Sequence, residues 1–130
     1  MPIIEMQHDQ DPKTTILNTI GDISTLEIFN NQILVAVYLR PQKTKSGIIL
    51  TDNIRNEDKY QSKIGLIVKK GPEAFVDETG SWFKGLNIDV GDWVIFRPSD
   101  AWQMDVNGVT CRILEDTLVK GRVVNPDMIY

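Results

Sequence analysis

Asn107-Gly108 is the pair of residues that most constrains the fold of this chain. A two-residue type I′ turn needs φ > 0 at both central positions, and Asn-Gly tolerates that best. Folding the chain there sets Val106 against Val109, Asp105 against Thr110, Met104 against Cys111, Gln103 against Arg112 and Trp102 against Ile113. Apolar pairs alternate with polar pairs. That is the pattern of two antiparallel strands with one face on a core and one toward water. Cys111 then points inward as a small apolar residue. A reactive thiol is the alternative, but no Lys, Arg or His in that register is placed to lower its pKa.

Other short runs extend the β reading. Ile33–Leu39 is an apolar strand covered on both faces and stopped by Pro41. Lys63–Val68 is a second, ended by Gly71-Pro72, and Asp92–Phe96 a third, entered through Val90-Gly91-Asp92 and ended by Pro98. Thr25–Phe29 alternates weakly and reads as a further strand. Asp11, Pro12 and Gly21 bracket Lys13–Ile20 as N-cap, first helical position and C′ residue of a short helix. The β-branched Thr14, Thr15, Ile16 and Ile20 favour a strand there instead. Short strands with two long excursions indicate an all-β chain folded as a small barrel. The expected organisation is an N-terminal extension over 1–31, a barrel over 32–124 with excursions at 42–62 and 72–88, and a tail over 125–130.

Composition removes whole classes of function. The chain has 130 residues, enough for one domain with an appended arm. Its net charge is −4 and its pI about 4.9, a poor balance for nucleic-acid binding. One cysteine excludes an intrachain disulfide framework and a cysteine-rich zinc site. The one histidine, His8, lies in a polar, acidic N-terminal stretch, which argues against a catalytic triad or a histidine metal site. No apolar run reaches the ~18 residues of a membrane span. Residues Met1–Glu5 lack the basic start of a signal peptide. The expectation is a protein without enzymatic activity, metal or cofactor, in a reducing, cytoplasmic compartment.

The stretch Lys43-Thr44-Lys45-Ser46-Gly47-Ile48-Ile49-Leu50-Thr51-Asp52 carries the functional signal. A polar loop over 42–62 is long for a compact domain, and such loops tend to be functional. Ile48, Ile49 and Leu50 read as an apolar knob on a mobile arm, suited to a groove on another protein, with Gly47 giving the chain room to turn. A plain barrel strand with polar flanks is the alternative. Lys43, Lys45, Arg55, Lys59 and Lys63 make the loop basic, either for solubility or to steer it toward an acidic surface. Phe75, Trp82 and Phe83 cluster in the second excursion, as a hydrophobic satellite or as a functional surface. Trp93 and Trp102 read as barrel core or rim. Asp100 and Asp105 read as solvated residues rather than a catalytic carboxylate pair.

In this order, the motifs resemble the GroES family of co-chaperonins. Thr44-Lys45-Ser46-Gly47-Ile48-Ile49-Leu50 is similar to that family's mobile-loop motif, and Val90-Gly91-Asp92-Trp93-Val94-Ile95-Phe96 to its Val-Gly-Asp-x-Val-x-Phe signature. Val106–Leu114 with Glu115-Asp116-Thr117-Leu118 resembles its closing hairpin and turn. The likeness runs from Ile33 to Val124. One glycine stands before the apolar tripeptide where the family usually has two, and residues 1–31 have no counterpart in a typical bacterial member. That divergence points to an unusual or phage-encoded member. The resemblance implies a homo-heptameric ring that caps a GroEL-type chaperonin and encloses unfolded client proteins. Gly47, Ile48, Ile49 and Leu50 would bind the chaperonin, and Phe75, Trp82 and Phe83 would lie in a roof hairpin over the chamber. Family members also carry an aromatic facing the chamber, for which Trp102 is a candidate. The alternatives are a small-barrel nucleic-acid-binding module and a phage structural protein of the decoration or spike kind.

Overall fold

A computed structural model describes residues 11–40, 52–76, 83 and 85–129, with 52–56 as backbone only. The elements are helix α1 (Pro12–Ile20), strand β1 (Gln32–Val37), helix α2 (Asp52–Gln61), β2 (Ile64–Lys70), β3 (Trp93–Ile95), β4 (Trp102–Val106), β5 (Val109–Glu115) and β6 (Gly121–Val123). Single 3₁₀ turns stand at Pro98–Asp100, Asp116–Leu118 and Pro126–Met128. The six strands form one antiparallel sheet in the order β4-β5-β1-β2-β3-β6. The fold is a small all-β barrel of the GroES-like kind.

The Asn107-Gly108 hairpin has the expected register at every pair, from Val106 opposite Val109 to Trp102 opposite Ile113. Both turn residues have positive φ, 50° and 83°, as a type I′ turn requires. The Val90-Gly91-Asp92 turn has an equally local cause. Gly91 has φ 97° and donates its N–H to the Ile67 carbonyl at 2.8 Å, while the Asp92 carbonyl accepts from Ile67 N at 3.0 Å. The Asp92 carboxylate then accepts from Asp89 N at 3.0 Å and from Arg122 at 3.2 Å, tying the turn to β6.

Alternation along the central strands sorts side chains onto two apolar faces. Leu34, Ala36, Tyr38, Ile64, Leu66, Val68, Trp93 and Cys111 line one face. Ile33, Val35, Ile67, Val94, Phe96 and Leu114 line the other. Tyr38 and Trp93 meet edge to face at 5.5 Å. The N-terminal arm covers the first face. Ile20 and Ile28 are buried in that cluster, and Ile16, Ile23 and Leu26 pack against it. Asn107 donates to the Ile20 carbonyl at 2.7 Å and Lys69 to the Ile23 carbonyl at 2.8 Å, which fixes the path of the arm. The tail closes on the same face, where Ile129 packs and the Tyr38 hydroxyl donates to Asp127.

Helix α1 follows the expected boundaries, with Asp11 before Pro12 and Gly21 at φ 63° just past the end. The strand expected over Thr25–Phe29 does not form. That stretch runs as turn and irregular chain: Leu26 and Ile28 pack over the first apolar face of the sheet instead of pairing within it. The loop expected over 42–62 is also shorter than its sequence suggests, since helix α2 occupies its second half.

Candidate functional site

The interval 41–51 lies between the end of β1 and helix α2. The structure shows how its two sides are held. Past β1 the chain continues through Tyr38, whose N–H donates to the Ile64 carbonyl at 2.9 Å. At Arg40 it meets Asp58 of α2. The Arg40 backbone N–H donates to Asp58 Oδ2 at 3.0 Å, Nε to the same oxygen at 2.9 Å, and Nη2 to Oδ1 at 2.8 Å. The Asp58 side chain is only 1% exposed and that of Arg40 17%. A bidentate guanidinium–carboxylate pair with an added backbone donor is a strong and directional arrangement.

Helix α2 has a second anchor at its C-terminal end. Arg112 of β5 donates through Nη2 to the carbonyls of Lys59 and Tyr60, both at 3.3 Å, and through Nη1 to Pro98 O at 3.1 Å and Ala101 O at 3.2 Å. A cation at the last carbonyls of a helix satisfies groups that have no intrahelical partner and suits the helix dipole. The expected wet face of the hairpin is therefore covered here: Arg112 is buried, and burial lowers its pKa from the usual guanidinium value.

The second excursion is tied down through Asp116. Its Oδ2 accepts from Phe75 N at 2.8 Å and its Oδ1 from Asn31 at 3.0 Å. Phe75 and Phe83 meet edge to face at 5.3 Å and pack on the second apolar face. Beside them is a cleft of about 330 Å³ lined by Asn30, Asn31, Glu73, Val76, Phe83, Asp116 and Thr117. The Asp116 carboxylate there is already engaged within the fold.

The other residues singled out from the sequence divide clearly. Gly47, Ile48, Ile49 and Leu50 lie outside the described residues, as do Trp82, His8, Lys43 and Lys45. Trp93 is core at 3% exposure, whereas Trp102 stands on edge strand β4 at 84% and is not core. Asp105 is exposed. Asp100 is bound by Arg97 at 2.7 Å, which holds its carboxyl below the usual range. A carboxyl so held is a poor general acid. Burial and, secondarily, the Asp105 charge push the Cys111 thiol up to about 12, the condition of an inert core cysteine. Among the described residues, no group of three or more His, Cys, Asp or Glu is placed to hold a metal, and no helix is long and apolar enough to cross a membrane.

Sequence reasoning missed helix α2, the depth of Arg112, and the links Arg40–Asp58 and Tyr38–Asp127. A signal for the helix was present. Thr51-Asp52 suits an N-cap followed by an acidic first turn, and no Gly or Pro interrupts 52–61.

The described sheet and its Val-Gly-Asp turn agree with a family comparison. The model of the chaperonin 10 kDa subunit family matches residues 25–123. The chain belongs to that family. No curated protein matches it. Membership makes the chain a co-chaperonin, of a family that works with GroEL-type chaperonins. The family match begins within the arm, so the residues from 25 that cover the first apolar face are matched together with the barrel.

Proposed function

We propose that this co-chaperonin forms a homo-heptameric ring lid on a GroEL-type chaperonin, and that Gly47, Ile48, Ile49 and Leu50 bind the chaperonin's apical surface. The observation that carries the reading is the family match over 25–123. It spans the interval that holds Thr44-Lys45-Ser46-Gly47 and the apolar tripeptide. The lid encloses unfolded client proteins while the partner hydrolyses ATP, in a bacterial or phage-infected cytoplasm. The excursion over 72–88, with Phe75, Trp82 and Phe83, faces the chamber as its roof.

Energetics favour a multivalent arrangement. Burying three aliphatic side chains gains roughly 4.5–9 kcal/mol at ~1.5–3 kcal/mol each. Ordering five backbone residues costs ~5–10 kcal/mol. A single contact is then weak, and a rigid ring turns the later contacts into intramolecular ones. Weak individual contacts also let the lid leave. Among the described strands, β4 and β6 are the edges of the sheet, and they give neighbouring subunits a surface to join.

Electron microscopy of the protein with a GroEL-type chaperonin and ATP tests the proposal. The expected image is a sevenfold ring on the chaperonin end. Ile49→Ser is expected to abolish capping and leave the ring intact. Capping that survives Ile49→Ser places the contact elsewhere, and a variant that unfolds makes the tripeptide barrel core.

A further inference from the structure

We propose that Arg40 and Asp58 form a clasp at the root of the chaperonin-binding segment and act as positioning residues for docking. The inference rests on the reading that Ile48, Ile49 and Leu50 make the contact. It concerns residues that the tripeptide reading leaves unassigned.

Three observations carry it. First, Arg40 stands three residues past the end of β1, and its own backbone N–H is bound to Asp58 at 3.0 Å. The main chain is therefore fixed at the point where it leaves the barrel, in addition to the side chain. Second, Asp58 is 1% exposed and lies on the far side of the segment in sequence, so the fork from Arg40 joins the two sides of the interval across 18 positions. Third, α2 is itself immobilised against the barrel. Arg112 of β5 donates to the carbonyls of Lys59 and Tyr60 in the last turn of the helix.

Together these contacts take α2 out of the part of the chain that docking must order. The span between the two held sides is then eleven positions, 41–51, rather than the whole of 42–62. Closing the interval in the free protein removes part of the ordering cost from the binding step, which raises affinity without adding a contact. It also sets the direction in which the tripeptide is presented. Each subunit of a ring must present its segment at a similar angle if the contacts are to be made together.

The experiment titrates each variant ring against a GroEL-type chaperonin with ATP. Ring mass by native mass spectrometry and amide exchange of β1 and β2 are followed in parallel. Asp58→Asn keeps the shape of the side chain but removes the charge, and Arg40→Ala removes the fork. Both are expected to weaken capping at least about tenfold, because small losses per subunit multiply across a ring. Ring mass and β1–β2 protection are expected to match the parent. Arg40→Lys, which keeps the charge without the fork, is expected to recover part of the loss. Ile49→Ser serves as the reference for the docking reading. If Ile49→Ser loses capping while Asp58→Asn and Arg40→Ala cap like the parent, the clasp proposal is overturned and the docking reading stands. If Ile49→Ser itself caps like the parent, the docking reading fails first. A loss of capping that comes with ring dissociation or lost β1–β2 protection makes the pair a fold contact and also overturns the proposal.

Discussion

Cys111 carries the chain's one thiol, and the fold removes it from chemistry. Its pKa, pushed up to about 12 by burial, lies above the ~8.5 of an unfolded cysteine. The native state therefore keeps a proton that the unfolded chain releases above that value. The resulting stabilisation is fully present below about pH 8.5 and is lost as pH rises toward 12. Cys111→Ala is expected to cost about 1–2 kcal/mol at pH 7 through lost packing. Urea denaturation at pH 7 and pH 10 should show the gap between parent and variant narrowing at the higher pH. A gap that widens with pH would refute this account of the thiol. Pairing about Asn107-Gly108 was enough to place Cys111 inward, because strand alternation is a local rule. The same rule put Arg112 on a wet face and was wrong about its surroundings. Depth on that face depends on the Pro98–Asp100 turn and on the end of α2, which come from distant sequence.

At the level of elements, the arm is part of the barrel's core. Ile20 and Ile28 are 2% and 9% exposed, and the cluster they complete includes Leu34, Ala36 and Val68. Deleting the chain through Phe29 is expected to cost about 3–6 kcal/mol from those two side chains alone, at ~1.5–3 kcal/mol each. A urea midpoint unchanged by that truncation would show that the arm contributes nothing to the barrel. Helix α1 was legible because Pro12 and Gly21 mark its ends chemically. The irregular run at Thr25–Phe29 was not. Its weak alternation is that of a strand, yet its apolar side chains are satisfied by packing over the sheet rather than by pairing within it. Helix α2 was hidden for a related reason. A polar segment rich in Lys, Asp and Asn reads as loop, and what holds it as a docked helix is Arg40 and Arg112 on other elements.

For the whole molecule, contacts between distant parts of the chain decide where the described arm and tail lie. The arm and the tail close on the same apolar face, and Tyr38 joins the end of the central strand to Asp127. Burial, followed by the Asp127 hydrogen bond and charge, raises the pKa of the Tyr38 hydroxyl, so it stays a proton donor across the neutral range. Tyr38→Phe is expected to cost about 1.5–3 kcal/mol, the usual worth of a hydrogen bond to a charged group. Thermal or urea unfolding measures it, and an unchanged midpoint would mean that the bond adds nothing. None of this linkage is visible in the sequence, because nothing local to Tyr38 or Asp127 points to the other. The Arg40–Asp58 closure bears on how such a protein diverges. With its two sides held by the ion pair, the stretch between Arg40 and α2 is one that, on the clasp proposed above, can be exchanged as a unit. Even doubling its length adds only about 0.6 kcal/mol of closure entropy, and the sheet does not register the change. On the docking role proposed for Ile48, Ile49 and Leu50, partner preference would then drift by replacement of one short stretch, and a stretch from another co-chaperonin grafted between Arg40 and Asp52 is expected to leave the scaffold unaltered.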